Sequence, residues 1–85
     1  MVTRKLVVKE PQGLHLRPAG VICETSLLYQ SRIQIKKGTQ TANAKSVLGI
    51  LAARVTQGDE IEIVCDGVDE NEALLAVAKL FEDNE

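Results

Sequence analysis

One histidine, His15, is followed two places later by Arg17 and then by Pro18, within the stretch Gly13-Leu14-His15-Leu16-Arg17-Pro18-Ala19-Gly20. Proline is favoured in a helix's first turn, because its missing N–H would be unpaired there in any case. Gly13 stands where a strand must turn into that helix. His15 is therefore expected at a helix N-terminus, beside backbone N–H groups that lack intrahelical acceptors. Such a place suits an anion, and phosphate above all. Arg17 can grip phosphate bidentately. The positive helix end disfavours imidazolium by roughly 0.3–1 kcal/mol, or up to about 0.7 pKa unit, and Arg17 acts in the same sense. Both keep the imidazole neutral near pH 7, as a nucleophile must be. A phosphoryl group placed on the ring would then be attracted by the same helix end and the same arginine. The expected chemistry is reversible phosphoryl acceptance at a surface corner.

Other chemistries fit poorly. There is no second histidine for a metal pair, no Ser-His-Asp or Cys-His arrangement that can be placed, and no Walker-type glycine loop. No metal or cofactor is expected. The carboxylates Glu60, Glu62, Asp66, Asp69, Glu70 and Glu72 fall on strand edges and helix starts, where solvated or capping roles are expected. Cys23 and Cys65 match neither zinc nor redox spacing and are read as small buried hydrophobes with free thiols.

The 85 residues suffice for one domain with a thin core. No deep cavity is expected, so chemistry here takes place at the surface under a covering partner. A net charge of −2 and the near absence of aromatics (Tyr29 and Phe81) argue against nucleic acid. No apolar run approaches membrane-spanning length, and residues 1–5 lack a signal peptide's apolar core. A cytoplasmic monomer is expected.

The scaffold follows from periodicity. Val2 to Lys9 alternates, with Leu6 and Val8 on one face. Glu10-Pro11-Gln12-Gly13 breaks the strand. From Leu16 or Arg17 to about Tyr29 the pattern is helical, and Ala19, Ile22, Cys23 and Leu27 are expected to face a sheet. Arg32 to Lys37 alternates on Ile33 and Ile35. Lys37-Gly38-Thr39 turns, and Gln40 to Asn43 returns as a polar edge strand. Ser46 is a preferred N-cap for a short helix, Val47 to Ala53. That helix is apolar on more than one side, so part of Val47, Leu48, Ile50 and Leu51 must be exposed, as at a contact surface. Gln57-Gly58-Asp59 turns into a strand, Glu60 to Cys65, with Ile61, Ile63 and Cys65 inward. After Asp66-Gly67, Asp69 with Glu72 reads as a capping box. A last helix follows to about Asp83, with Ala73, Leu74, Val77, Ala78 and Phe81 on one face. The order β-α-β-β-α-β-α gives an α+β, two-layer open-faced sandwich: a four-stranded antiparallel sheet with three helices on one face.

The stretch Gly13 to Ala19, the segment Asn43-Ala44-Lys45-Ser46-Val47-Leu48-Gly49-Ile50-Leu51, the turn Gln57 to Ile61 and the run Asp66-Gly67 through Ala73 resemble, in order, the HPr family. These are the histidine-containing phosphocarriers of the bacterial sugar phosphotransferase system. Leu16, Gly20 and Arg54 depart from the pattern: the family tends to have a small residue where Leu16 and Arg54 stand, and Ser or Thr at Gly20. The resemblance implies one HPr-like domain over residues 1–85. It implies that His15 takes a phosphoryl group on Nδ1 from enzyme I and passes it to sugar-specific IIA proteins. Leu16 and Arg17 would hold the phosphate through their amides and the Arg17 guanidinium. Leu16, Gly20, Val47, Leu48 and Leu51 would form the docking surface. Ser46 would be a regulatory site for a serine kinase/phosphorylase, with a transcriptional regulator as a further partner. Two other readings stand beside this one. The first is an HPr-like regulatory paralogue in catabolite or nitrogen control, a non-phosphorylated module that binds a transcription factor or enzyme through the Val47–Leu51 helix, for which an intact His15 and Arg17 are unnecessary. The second is a small hydrolase with His15 as general base, which would lack a pocket and a partner acid.

Overall fold

The computed structural model describes residues 1–11, 13, 14 and 16–82. His15, and with it the expected geometry at its ring, lies outside the described residues, as does the expected helix end at Asp83. The elements are β1 (Val2–Val7), α1 (Leu16–Leu27), β2 (Arg32–Lys37), β3 (Gln40–Asn43), α2 (Val47–Ala52), β4 (Glu60–Asp66) and α3 (Glu70–Glu82). The sheet is antiparallel throughout, in the order β1-β4-β2-β3. Three helices with a four-stranded open sheet make the two-layer α+β sandwich expected from the pattern of elements.

Alternation decides which face of each strand is buried. Ile33 and Ile35 of β2 lie opposite Cys65 and Ile63 of β4, and Leu6 of β1 lies opposite Ile61. These inward side chains meet Ala73, Val77, Ala78 and Phe81 of α3 and Ala19 and Ile22 of α1 in one core. The outward rows are polar, for instance Lys5, Glu62, Lys36 and Thr41 side by side across the four strands. Opposite charges placed next to each other in this way support the pairing. Gly38 has positive φ and Thr39 does not, which is the II′ arrangement of a tight hairpin between β2 and β3. Polar β3 is an edge strand, as its sequence suggests.

Two expectations are corrected. Leu27 does not face the sheet; it is exposed, and Ser26 is buried instead. At 100° per residue, Ser26 lies about 20° from Ala19 around the helix and Leu27 about 80°. Angle outweighs hydropathy here because serine is small enough to pack. The Ser26 hydroxyl has no partner among the described residues.

The second correction concerns the Asp69–Glu72 capping box. The Asp69 backbone carbonyl does accept the Ala73 N–H at 3.0 Å. Its carboxylate instead crosses to the turn after α1, accepting the N–H groups of Gln30 and Ser31, both at 2.9 Å, and the Ser31 hydroxyl. These hydrogen bonds, that of the Ser31 hydroxyl foremost, hold the Asp69 carboxyl below the usual carboxylate range. Glu70, not Glu72, reaches back to the Gly67 N–H, at 3.1 Å. The close pass of Gly67 under Ser31, where a Cβ would stand 2.6 Å from the Ser31 Cα, fixes this junction.

Both cysteines are buried free thiols, as expected. Burial, with the charges of Glu70 and Asp69, pushes the Cys65 thiol up to about 11. No described helix is long and apolar enough to cross a membrane.

Candidate functional site

The corner around residues 13–17 is held from below by the loop that follows α2. Gly13 has φ +70, and a Cβ there would overlap the Val55 carbonyl oxygen and stand 2.8 Å from the Thr56 Cα. No residue but glycine fits that contact without displacing backbone. The next residue, Leu14, is buried and donates its N–H to the same Val55 carbonyl at 3.0 Å. The Gly13 N–H closes the preceding turn on the Glu10 carbonyl at 2.9 Å. Sequence reading gave Gly13 a turn. The long-range clamp on Val55 is a tertiary contact with no local signal.

α1 begins at Leu16, and its opening residues are Leu16, Arg17, Pro18 and Ala19. Pro18 thus sits in the first turn, where its missing N–H removes one of the four unpaired donors. The amides of Leu16 and Arg17 have no intrahelical acceptor there. Arg17 is exposed, and its guanidinium makes no hydrogen bond or ion pair among the described residues. An exposed guanidinium on a residue whose own amide, like that of Leu16, has no intrahelical acceptor makes a donor set suited to one anion.

A groove of about 570 Å³ opens beside this corner, between the turn after β1, α1 and the end of α3. Pro11, Leu14, Pro18 and Phe81 supply apolar wall, and Arg17 and Lys9 line it. Its walls come from both ends of the chain. It is an open surface trough and not a deep cavity, in keeping with the thin core expected of so small a domain.

The expected docking residues are accessible. Leu48 is 80% exposed and Leu16 68% exposed, while Gly20, Val47 and Leu51 are partly exposed. Ile50, from the same short helix, is 1% exposed and belongs to the core. α1 and α2 pack against each other, and the Cys23 thiol donates to the Lys45 carbonyl across their junction at 3.3 Å. The Lys45 ammonium ties the start of α2 to the Tyr29 carbonyl at 2.7 Å. Nothing lies within 4 Å of a Cβ added to Gly20, so no packing demands a glycine in this helix.

Ser46 is the N-cap of α2: its backbone is extended and its hydroxyl accepts the Gly49 N–H at 3.0 Å. Arg54, two residues beyond α2, has φ +53 and is the one non-glycine residue with positive φ among those described. A Cβ disfavours that backbone, which accounts for the family's tendency to a small residue there.

The family model described as PTS HPr component phosphorylation site matches residues 2–83. The phosphocarrier protein HPr of Treponema pallidum (strain Nichols) is 37% identical over 82 residues, covering 96% of this chain and 93% of that protein. The solved structure of HPr-C-His from Thermoanaerobacter tengcongensis superposes with a TM-score of 0.95 at 34% identity, covering 99% of this chain and 94% of the other. The Bacillus subtilis catabolite repression protein Crh superposes at 0.79 with 31% identity, covering 99% and 97%, and is described as a domain-swapping dimer. With a dimer among the similar structures, the likeness gives the expected monomer no support.

Proposed function

The chain belongs to the HPr family of phosphocarriers, and on that premise we propose that His15 carries the phosphoryl group of the phosphoenolpyruvate-dependent sugar phosphotransferase system. The neutral imidazole attacks the phosphohistidine of enzyme I. The donor's N–P bond breaks as a new N–P bond forms on His15, the donor imidazole leaves, and no water takes part. The reverse sequence of bonds hands the group to a IIA protein. The observation that carries this reading is the corner itself. His15 is the residue between the clamped Leu14 and the first residue of α1, and the Leu16 and Arg17 amides, which have no intrahelical acceptor, and the exposed Arg17 side chain follow directly. Exposed Leu16 and Leu48 support a shared docking face for both partners.

Intact mass after incubation with enzyme I and phosphoenolpyruvate tests the reading. One acid-labile phosphate is expected on the wild type and none on His15→Ala. A phosphate retained by His15→Ala, or a wild type that gains none, overturns it.

The likeness to Crh favours a second reading, a regulatory relative that acts by binding a control protein through the same face. Ser46 would be its modified residue. A chain that takes phosphate at Ser46 from a serine kinase, and none from enzyme I, fits that reading.

A further inference from the structure

The loop between α2 and β4 seats both ends of the connection from β1 to α1. At one end the Val8 N–H donates to the Asp59 carbonyl and the Val8 carbonyl accepts the Gly58 N–H, both at 2.9 Å. At the other end Gly13 lies against Val55 and Thr56, and Leu14 donates its N–H to the Val55 carbonyl. Residues 13 and 14 are therefore placed only as firmly as residues 54–59. That loop holds a strained residue, Arg54 with φ +53, and such backbone persists only where its surroundings over-determine it. Here two side chains do so. The Lys37 ammonium, at the end of β2, donates to the Arg54 carbonyl at 2.7 Å and pairs with Asp59 Oδ2 at 3.0 Å. The same oxygen accepts the N–H and the hydroxyl of Thr56, at 2.8 and 3.1 Å. One carboxylate oxygen thus gathers three donors, and Val55 stands between the two tied residues, Arg54 and Thr56. The side chains of Lys37 and Asp59 are 31% and 27% exposed, so the pair is more shielded than an ordinary surface ion pair.

We infer that Lys37 and Asp59 are positioning residues for the phosphocarrier corner: through Arg54 and Thr56 they fix Val55, and through Val55 they fix Gly13 and Leu14 just before α1. The inference rests on the phosphocarrier reading above. Neither side chain touches the transferred group. A loosened loop spreads the corner over several arrangements, only a fraction of which can react, and the transfer rate falls by that fraction. The docking face on α1 and α2 is built of other residues, so affinity for enzyme I does not follow the same course.

The test compares Asp59→Asn, Lys37→Met and Lys37→Arg with the wild type. Asp69→Asn is the control, since it weakens a different junction, between α3 and the turn after α1. Asp59→Asn and Lys37→Met change the net charge in opposite senses, so an effect they share cannot come from long-range attraction of the partner. Amide hydrogen exchange is read first, on the unphosphorylated protein, at Leu14 and at Ile63 of the central strand β4. In Asp59→Asn and Lys37→Met, exchange at Leu14 should speed up roughly tenfold more than at Ile63. In Lys37→Arg, which keeps a cation with several donors, and in Asp69→Asn, Leu14 should gain no more than Ile63 does. Single-turnover uptake from saturating phosphorylated enzyme I should slow by roughly tenfold in Asp59→Asn and Lys37→Met alone, with calorimetric affinity for enzyme I unaltered. If exchange at Leu14 gains nothing over Ile63 in those two variants, the corner does not depend on the pair and the inference is overturned. Faster exchange at Leu14 with wild-type transfer overturns it too, as does slower transfer that Asp69→Asn shares or a loss confined to affinity. A wild type that takes no acid-labile phosphate overturns the carrier reading itself, and this inference with it, whatever the exchange rates show of the loop.

Discussion

Gly13 lies directly against Val55, whose carbonyl occupies the space a Cβ on the glycine would need and accepts the N–H of the next residue, Leu14, at 3.0 Å. The corner that precedes α1 is thereby set by a residue 42 positions beyond Gly13 in the chain.

Gly13→Ala should therefore cost stability twice, through its left-handed backbone and through the overlap, on the order of 1–3 kcal/mol. Gly20→Ala makes the opposite control. It has open space around it and sits inside a helix, so it should gain roughly 0.5–1 kcal/mol. Urea unfolding of the two variants checks both signs. Equal stabilities would remove the clamp from the account.

Leu48→Asp should leave stability within about 0.5 kcal/mol of the wild type, because the side chain is already 80% exposed. Its binding to enzyme I, measured by calorimetry, should weaken by tenfold or more. Ile50→Ala, from the buried side of the same helix, should instead cost roughly 2–5 kcal/mol. Unfolding of the Leu48 variant, or unaltered binding, would move the docking face elsewhere.

Ser46→Ala should lose about 1 kcal/mol with the cap to Gly49. Ser46→Asp keeps a capping oxygen but places charge beside Val47 and Leu48. It should fold normally and accept phosphate from enzyme I much more slowly, while the alanine variant transfers at the wild-type rate. Rapid-quench assays of phosphate uptake decide the matter, and equal rates in both variants leave Ser46 as a cap alone.

Acid should loosen the fold through Asp69 and Asp59, the latter lowered chiefly by the Thr56 N–H and then by Lys37. Both carboxyls are depressed in the folded chain. The unfolded chain thus binds more protons near pH 4, and stability rises with pH there. The contribution is complete above about pH 5 and is lost as the pH falls below the usual carboxylate value near 4 and through the folded values. Asp69→Asn should flatten this part of a melting-temperature profile and lower the plateau at pH 7. An unchanged acid limb would mean that the Ser31 contacts contribute nothing.

Most of the scaffold was legible because its signals are local. Ile33 and Ile35 alternate, Gly38 permits the turn, and Ser46 precedes its helix. The exposed side of α2 was legible too, since six residues cannot bury apolar groups on every side. What escaped depends on contacts between distant residues. Hydropathy favoured Leu27 where helical angle placed Ser26. The spacing of Asp69 and Glu72 suggested a local box, whereas the carboxylate answered two amides of another turn. Arg54 showed itself in the sequence only as a large residue where a small one was expected. Its left-handed backbone and its link to the Gly13 corner needed the fold.

The strand order carries a consequence for how the chain is made. β2 and β3 are joined by a two-residue turn and can close as soon as both exist. β1 must wait for β4, since Val2 lies opposite Cys65 and Val7 opposite Glu60. Residues 8–59, about fifty residues of intervening chain, have to be gathered before those strands meet, and closing so long a loop is the slow, entropically costly kind of event. A nascent chain on the ribosome therefore carries β1 unpaired until residue 66 has left the exit tunnel, and the earliest of these four strands in the chain is among the last to find its place.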